Sequence, residues 1–188
     1  MMLAVVAAAA VAAVSSPVSL PAQSAVGTIS IPRIHLVAPI TMGSQQMYQQ
    51  GVNWPRELNE GPAIYPKRCL DYLVYSNGRK KCDQWLKPVL PWQKGTVALA
   101  GHRVTHTHPF RWVNLLRKGD IIRWQTHWGT FVYRVWTVKV EPSDSWRWVL
   151  KWGGPNSHTL VGSGCNPPGS AVNRIVFFAK QVKAILRR

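Results

Sequence analysis

Short apolar stretches recur about every ten residues along much of this chain, with turn residues between them. The clearest pair, Ile121 to Thr126 and Thr130 to Val140, flanks His127-Trp128-Gly129. The second stretch alternates as a half-buried strand does, so the pair predicts a β-hairpin. Strands at this spacing with little helix favour an antiparallel barrel or sandwich. We therefore expect an all-β fold, and 188 residues suit one domain.

Other segments extend this pattern. Thr28 to Ile31 and Ile34 to Ile40, split by Pro32-Arg33, resemble an edge strand that is interrupted where proline removes a backbone donor. The spacing of apolar residues from Phe110 to Leu116 is compatible with two helical turns that Gly119 stops. Three more strands are expected, at Thr96 to Ala100, Ser157 to Val161 and Arg174 to Ala179.

The N-terminal segment has a different composition. Residues 1–26 carry no charge, and Leu3 to Val14 is an unbroken run of Ala, Val and Leu. This is typical of an export or anchoring segment, although the run is shorter than the roughly 20 residues of a spanning helix; a buried apolar helix is the alternative. Ala22-Gln23-Ser24 is a weak match to a signal-peptidase site. We expect residues 1–26 to be a signal or membrane anchor, residues 27–188 to be the folded domain, and the protein to be extracytoplasmic, membrane-attached or secreted after cleavage.

The chain is strongly basic. Lys and Arg number 23 against 7 Asp and Glu, a net charge of +16. Such a surface attracts polyanions, whether nucleic acid, anionic lipid headgroups or anionic wall polymers, and charge alone does not choose among them.

Three cysteines in an exported chain suggest one disulfide and one remaining thiol. Cys69 and Cys82 lie in a polar stretch around a Ser76-Asn77-Gly78 turn, and a bond between them would contribute about 3 kcal/mol in the entropic model. Cys165 then remains unpaired. Its Gly- and Pro-rich surroundings argue against ordinary core packing, and both a reactive and an inert thiol stay open at this point.

In the segment TLVGSGCNPPGSAVNR, Thr159 to Arg174, an arginine follows the thiol; it either supports a reactive sulfur or is an edge residue solvated in water. If Cys165 closes one strand and Arg174 opens the next, their backbones lie about 5 Å apart. The guanidinium then stabilises charge on sulfur or on the oxygen of a tetrahedral intermediate. A nucleophilic thiol also needs a base, and His102 follows a strand end directly, a position that suits catalysis.

The sequence also permits two other functions. His102, His106 and His108 have a spacing at which imidazoles can bind zinc, but no carboxylate is near in sequence, so no metal or cofactor is expected. Ten tryptophans, among them Trp146, Trp148 and Trp152, together with the basic residues, fit a non-catalytic wall- or nucleic-acid-binding module.

Several motifs in this order resemble the sortases, most closely the class E sortases of high-GC Gram-positive bacteria. They are Gly101-His102-Arg103, the Phe110 to Asp120 stretch ending in Leu-Arg-Lys-Gly-Asp, Val140 to Asp144, and Cys165 with Arg174 nine residues later. The resemblance extends from about Gly27 to Ala179. It implies an eight-stranded sortase-type β-barrel with short helices, and a cysteine transpeptidase that works outside the membrane.

By position in these motifs, the resemblance makes Cys165 the nucleophile, His102 the general acid/base and Arg174 the oxyanion or substrate stabiliser. It implies cleavage of an LPxTG- or LAxTG-like sorting signal between Thr and Gly through a thioacyl-enzyme. The implied partners are secreted proteins with a C-terminal sorting signal, an amine from a peptidoglycan precursor or a pilin lysine, and an anionic membrane or wall surface. No specific nucleic acid is expected, and a thiol hydrolase that uses water is the alternative.

The chain departs from the sortase pattern in three places. Gly164 stands where sortases usually have Thr before the cysteine, and Asn166 stands where class E members tend to have His. The segment before the Ala-Gly-His strand is also long, and it contains both Cys69 and Cys82. We expect a disulfide-pinned surface insertion at about residues 66–94.

Overall fold

Residues 25–42, 63–64, 68–86, 89–105, 107–142, 156–170 and 172–187 are described by the computed structural model. Ten strands account for most of these described residues, and the two short 3₁₀ helices among them are Pro32–Ile34 and Val113–Leu115. The strands are β1 Ala25–Ile31, β2 Leu36–Met42, β3 Ala63–Ile64, β4 Arg68–Val74, β5 Lys80–Leu86, β6 Gly95–Ala100, β7 Ile121–Thr126, β8 Gly129–Pro142, β9 His158–Asn166 and β10 Asn173–Leu186.

Eight of these strands close into a barrel, which confirms the predicted fold. Their order is β1-β2-β3-β6-β9-β10-β8-β7, and β7 pairs back onto β1. Most neighbours are antiparallel, but β2 with β3 and β6 with β9 are parallel. Because β6 and β9 run in the same direction, their C-terminal ends open at the same mouth of the barrel.

The predicted hairpin is present as β7 and β8, joined at His127 and Trp128. Its inward-facing residues alternate along both strands, and Trp124, Phe131 and Tyr133 are almost completely buried. Removing these large rings from water is the main favourable contribution to folding here. Burial also raises the pKa of the Tyr133 phenol above its ordinary range.

The expectation of an interrupted edge strand near the N-terminus is wrong. β1 is paired on both sides, with β2 and with β7. The intervening Pro32 opens a 3₁₀ helix that turns the chain, and its missing donor costs nothing at that position. β1 begins at Ala25, two residues before the predicted start of the domain, while residues 1–24 lie outside the described part.

The segment from Phe110 to Leu116 is less helical than expected. It contains one 3₁₀ turn, Val113–Leu115, flanked by turns. Phe110, Val113 and Leu116 are nevertheless buried, and the Phe110 ring meets the Phe177 ring edge to face at 5.5 Å. The spacing of the apolar residues therefore reflects the packing of this loop against the barrel and does not indicate a regular helix.

The predicted insertion contains a separate two-stranded sheet, β4 with β5. Its turn lies where the sequence predicts one: Gly78 has a positive φ of 76°, and its N–H donates to the Tyr75 carbonyl at 2.9 Å. On the backbone, Cys69 pairs with Trp85 and Cys82 with Tyr72. The side chains of both cysteines lie outside the described part, so their disulfide stays a prediction.

A search for helices able to cross a membrane, made over the described residues, finds none with the necessary length and apolar character.

Candidate active site

Cys165 and Arg174 face each other across the β9–β10 pair. They are direct partners in the register, near the end of β9 and the start of β10. Arg174 Nη1 lies 3.8 Å from Cys165 Sγ, and it also donates to the Asn173 carbonyl at 3.2 Å. Cys165 is a half-buried free thiol. The juxtaposition expected from the sequence is therefore present, with a guanidinium beside the sulfur.

The parallel pairing of β6 with β9 brings His102 to the same end of the barrel. Ala100 pairs with Ser163, and the Gly101 N–H donates to the Ser163 carbonyl at 3.0 Å. His102 comes two residues after Ala100, and Cys165 comes two residues after Ser163. Both therefore lie at the mouth where these two strands end. His102 is only 6% exposed, and its Nδ1 lies 2.8 Å from Thr105 Oγ1. This contact orients the imidazole and bears on its tautomer.

Gly101 is required by close packing at this strand end. A Cβ at residue 101 would lie 2.6 Å from Cδ2 of the Phe110 ring, which is completely buried. The Phe110 N–H also donates to the His102 carbonyl at 2.9 Å. The loop that carries His102 is thus fixed against the core on both sides of the histidine.

Arg103 connects this loop to β9, the strand that carries Cys165. It is 4% exposed, and its Nη1 donates to the Cys165 carbonyl at 3.1 Å and to Asn166 Oδ1 at 3.0 Å. Its Nη2 donates to Asn114 Oδ1 at 2.8 Å and reaches the Arg111 carbonyl at 3.5 Å. Burial lowers the pKa of Arg103, while the charge of Cys165 raises it. All four acceptors are uncharged, so a buried cation adjoins Cys165 without a carboxylate partner among the described residues.

Gly164 has a direct structural relation to Arg103. A Cβ at residue 164 would lie 2.9 Å from Arg103 Cγ and 3.1 Å from Cδ. These atoms belong to the fixed stem of a hydrogen-bonded side chain, so they cannot swing away freely. The glycine before the cysteine therefore gives the Arg103 side chain its space.

The family of the chain follows from comparison with known proteins. A family model described as Sortase domain matches residues 73–182, more than half of the chain. The chain belongs to the sortase family. Among curated proteins, it is 27% identical over 176 residues to the sortase SrtE1 of Streptomyces coelicolor, which covers 89% of this chain and 43% of that protein. The chain thus spans less than half the length of this relative.

Solved sortase structures share the fold. Sortase E1 of S. coelicolor, solved with a tripeptide in the active site, has a TM-score of 0.63 at 23% identity, over 88% of this chain and 92% of that one. Sortase E of Streptomyces avermitilis has a TM-score of 0.63 at 19% identity, over 89% of this chain and 93% of that one. The sortase D5 transpeptidase of Clostridium perfringens has a TM-score of 0.63 at 17% identity, over 88% of this chain and 83% of that one. These structures share the sortase fold, and the curated relative supports the resemblance to class E sortases.

Three residues of this sortase site had no role in the sequence-based prediction: Arg103, Thr105 and Asn114. The only hint in the sequence to a role for one of them is the Gly101-His102-Arg103 motif, which places Arg103 next to the candidate base. Asn114 comes from the 3₁₀ turn, and no spacing rule relates it to Arg103.

The alternatives from the sequence analysis concern other residues. His106 lies outside the described part, as do Trp146, Trp148 and Trp152. Among the described residues, no group of three or more His, Cys, Asp or Glu side chains is arranged to hold a metal ion. His108 lies beside a cavity near the cysteine loop, and His127 lies in the β7–β8 turn.

Proposed function

We propose that this sortase is a cysteine transpeptidase that cleaves an LPxTG- or LAxTG-like sorting signal between Thr and Gly. The acyl group passes through a thioester on Cys165 to an amine of the cell wall or of a pilin. The observation that carries the proposal is the 3.8 Å contact between Arg174 Nη1 and Cys165 Sγ, at the barrel mouth that also receives His102.

The first half-reaction uses all three groups. Cys165 Sγ attacks the Thr carbonyl, a C–S bond forms, and the C–N bond to Gly breaks as His102 protonates the departing amine. Arg174 is near enough to the sulfur to stabilise negative charge there or on the oxygen of the tetrahedral intermediate.

The second half-reaction reverses the proton transfer. An acceptor amine attacks the thioester carbonyl, a C–N bond forms and the C–S bond breaks. The imidazole of His102 takes the proton from the amine, and the sulfur leaves as thiolate beside Arg174. Water in place of the amine would make the same site a hydrolase.

The proposed surroundings are extracytoplasmic, with the N-terminal segment as a membrane anchor or a cleaved signal. The uncharged residues 1–26 and the net charge of +16 support work beside an anionic membrane or wall. The proposed clients are secreted proteins with a C-terminal sorting signal. The tripeptide in the active site of the S. coelicolor sortase E1 structure supports a peptide substrate for this fold.

The test is mass spectrometry of the protein mixed with Leu-Pro-x-Thr-Gly and Leu-Ala-x-Thr-Gly peptides, with detection of a thioester adduct. The adduct is expected in the parent and absent in Cys165→Ala. His102→Ala and Arg174→Ala should each slow peptide cleavage at least about 100-fold while remaining folded. Arg123→Gln, an exposed change on β7, is the matched control. An undiminished cleavage rate in Cys165→Ala would refute the proposal, and product ratios with and without added amine separate transpeptidation from hydrolysis.

A further inference from the structure

A cavity of about 430 Å³ lies beside the site and has no part in the chemistry described so far. One side of it is formed by the segment that follows His102, which supplies Arg103, His108, Arg111, Trp112 and Asn114. The other side is Pro168, three residues after Cys165. The cavity therefore lies between the two segments that carry the candidate base and the candidate nucleophile.

The charge of this cavity is positive. Two arginines line it, and no Asp or Glu does so within the part of the chain that the structure describes. Arg103 is buried, and its Nε has no hydrogen-bond acceptor among the described residues. A buried cation with an unused donor favours an anionic ligand close by.

Arg111 provides the exposed part of this charge. Its guanidinium carbon lies 4.8 Å from the centroid of the Trp112 ring, and the tryptophan is 48% exposed. This cation–π contact restrains the guanidinium before any ligand arrives. A planar guanidinium fits a carboxylate with two parallel hydrogen bonds, a geometry that a lysine does not offer.

We infer that this cavity binds the carboxylate of the acceptor, so that the preferred acceptor is a short peptide with a free amine and a free carboxylate. The inference rests on the proposed transpeptidase function and adds the chemical class of the second substrate. The backbone of a sorting signal is internal to a protein chain and carries no carboxylate at the scissile bond. The acceptor, in contrast, must present its amine to His102, whose own loop forms the cavity.

The volume of the cavity agrees with this assignment, since about 430 Å³ is of the size that holds a small-molecule ligand. The carboxylate then lies at Arg111 while the amine attacks the thioester, and the proton passes to His102 as before. No oxidant or other co-reactant is needed.

The test compares triglycine with triglycine amide, two acceptors with the same amine that differ only at the C-terminus. At about 0.15 M salt, which screens the net charge of the protein, the parent should transfer its acyl group about five- to tenfold faster to subsaturating triglycine than to the amide. Arg111→Gln should lower the triglycine rate to that of the amide and leave the amide rate unchanged. Arg123→Gln, which removes an equal charge from β7, should keep the preference.

A binding measurement separates this inference from the function on which it rests. In the Cys165→Ala background, NMR titration should show tighter binding of triglycine than of its amide, and Arg111→Gln should abolish the difference. Equal use of the two acceptors by the parent, together with equal binding in the Cys165→Ala background, would overturn the inference even where the thioester forms. Absence of any thioester refutes the proposed function alone, since the titration still decides whether the cavity binds a carboxylate.

Discussion

Arg103→Met tests whether the buried arginine holds Cys165 in place. The substitution keeps an apolar stem and removes the hydrogen bonds to the Cys165 carbonyl, Asn166 and Asn114, which measure 2.8–3.1 Å. Three bonds from a charged donor contribute roughly 4–9 kcal/mol in sum. The substitution also removes the cost of burying a cation, which is several kcal/mol and offsets part of that loss. The free energy of unfolding should therefore fall by about 2 kcal/mol, which lowers Tm by about 4–8 °C for a domain of this size.

The expected effect on chemistry is larger than the effect on folding. Without Arg103, the Cys165 carbonyl loses its link to the loop that carries His102, and a displacement of about 1 Å between reacting groups can cost 100-fold in rate. We expect thioester formation to slow 10- to 100-fold in Arg103→Met. Arg103→Lys keeps the charge, but one nitrogen cannot serve both Cys165 and Asn114, so its rate should be intermediate. Urea unfolding and the rate of adduct formation measure the two effects.

Gly164→Ala is a second perturbation of the same side chain. The new Cβ would meet Arg103 Cγ at 2.9 Å, so the stem must shift by several tenths of an ångström. The double variant with Arg103→Met should therefore lose less than the sum of the two single losses. Parental stability and parental acylation in Arg103→Met, or strict additivity in the double variant, would refute the proposed link between Arg103 and Cys165.

Two further substitutions test the packing and the base. Gly162→Ala should destabilise the barrel by about 3 kcal/mol, because the Cβ would enter the completely buried ring of Phe177; a urea midpoint equal to that of the parent contradicts this packing. Thr105→Val removes the hydroxyl that lies 2.8 Å from His102 Nδ1 and should slow acylation about fivefold with an altered pH–rate profile, whereas Thr105→Ser should retain both. Identical profiles for the Val and Ser variants would exclude a role for the hydroxyl in orienting the imidazole.

The Cys165–Arg174 pair was predictable because a short loop joins two adjacent strands. Eight residues lie between the two, and the intervening Pro and Gly leave room only for a return of the chain, which the register confirms. The position of His102 was predictable for a similar reason, since it follows a strand end. Their catalytic roles remain proposals that the variants above test.

The contacts of Arg103 were not predictable by the same reasoning. Its contacts with Cys165 and Asn166 join residues 62 and 63 positions apart in the chain, and only the parallel pairing of β6 with β9 brings these residues together. Parallel partners leave no turn signal in the sequence, because the connection between them is long. The pairing of β1 with β7 is antiparallel, but the two strands lie far apart in the chain, so no turn between them signals it either.

The β4–β5 hairpin is a site where this sortase should tolerate inserted residues. Its two strands pair with each other and with no barrel strand among the described residues, so its ladder is satisfied locally. Added length at the exposed tip around Gly78 costs chiefly loop-closure entropy, which rises slowly with the number of residues. An affinity tag or fluorophore inserted there would allow capture or detection of the folded enzyme and would leave the barrel register unchanged.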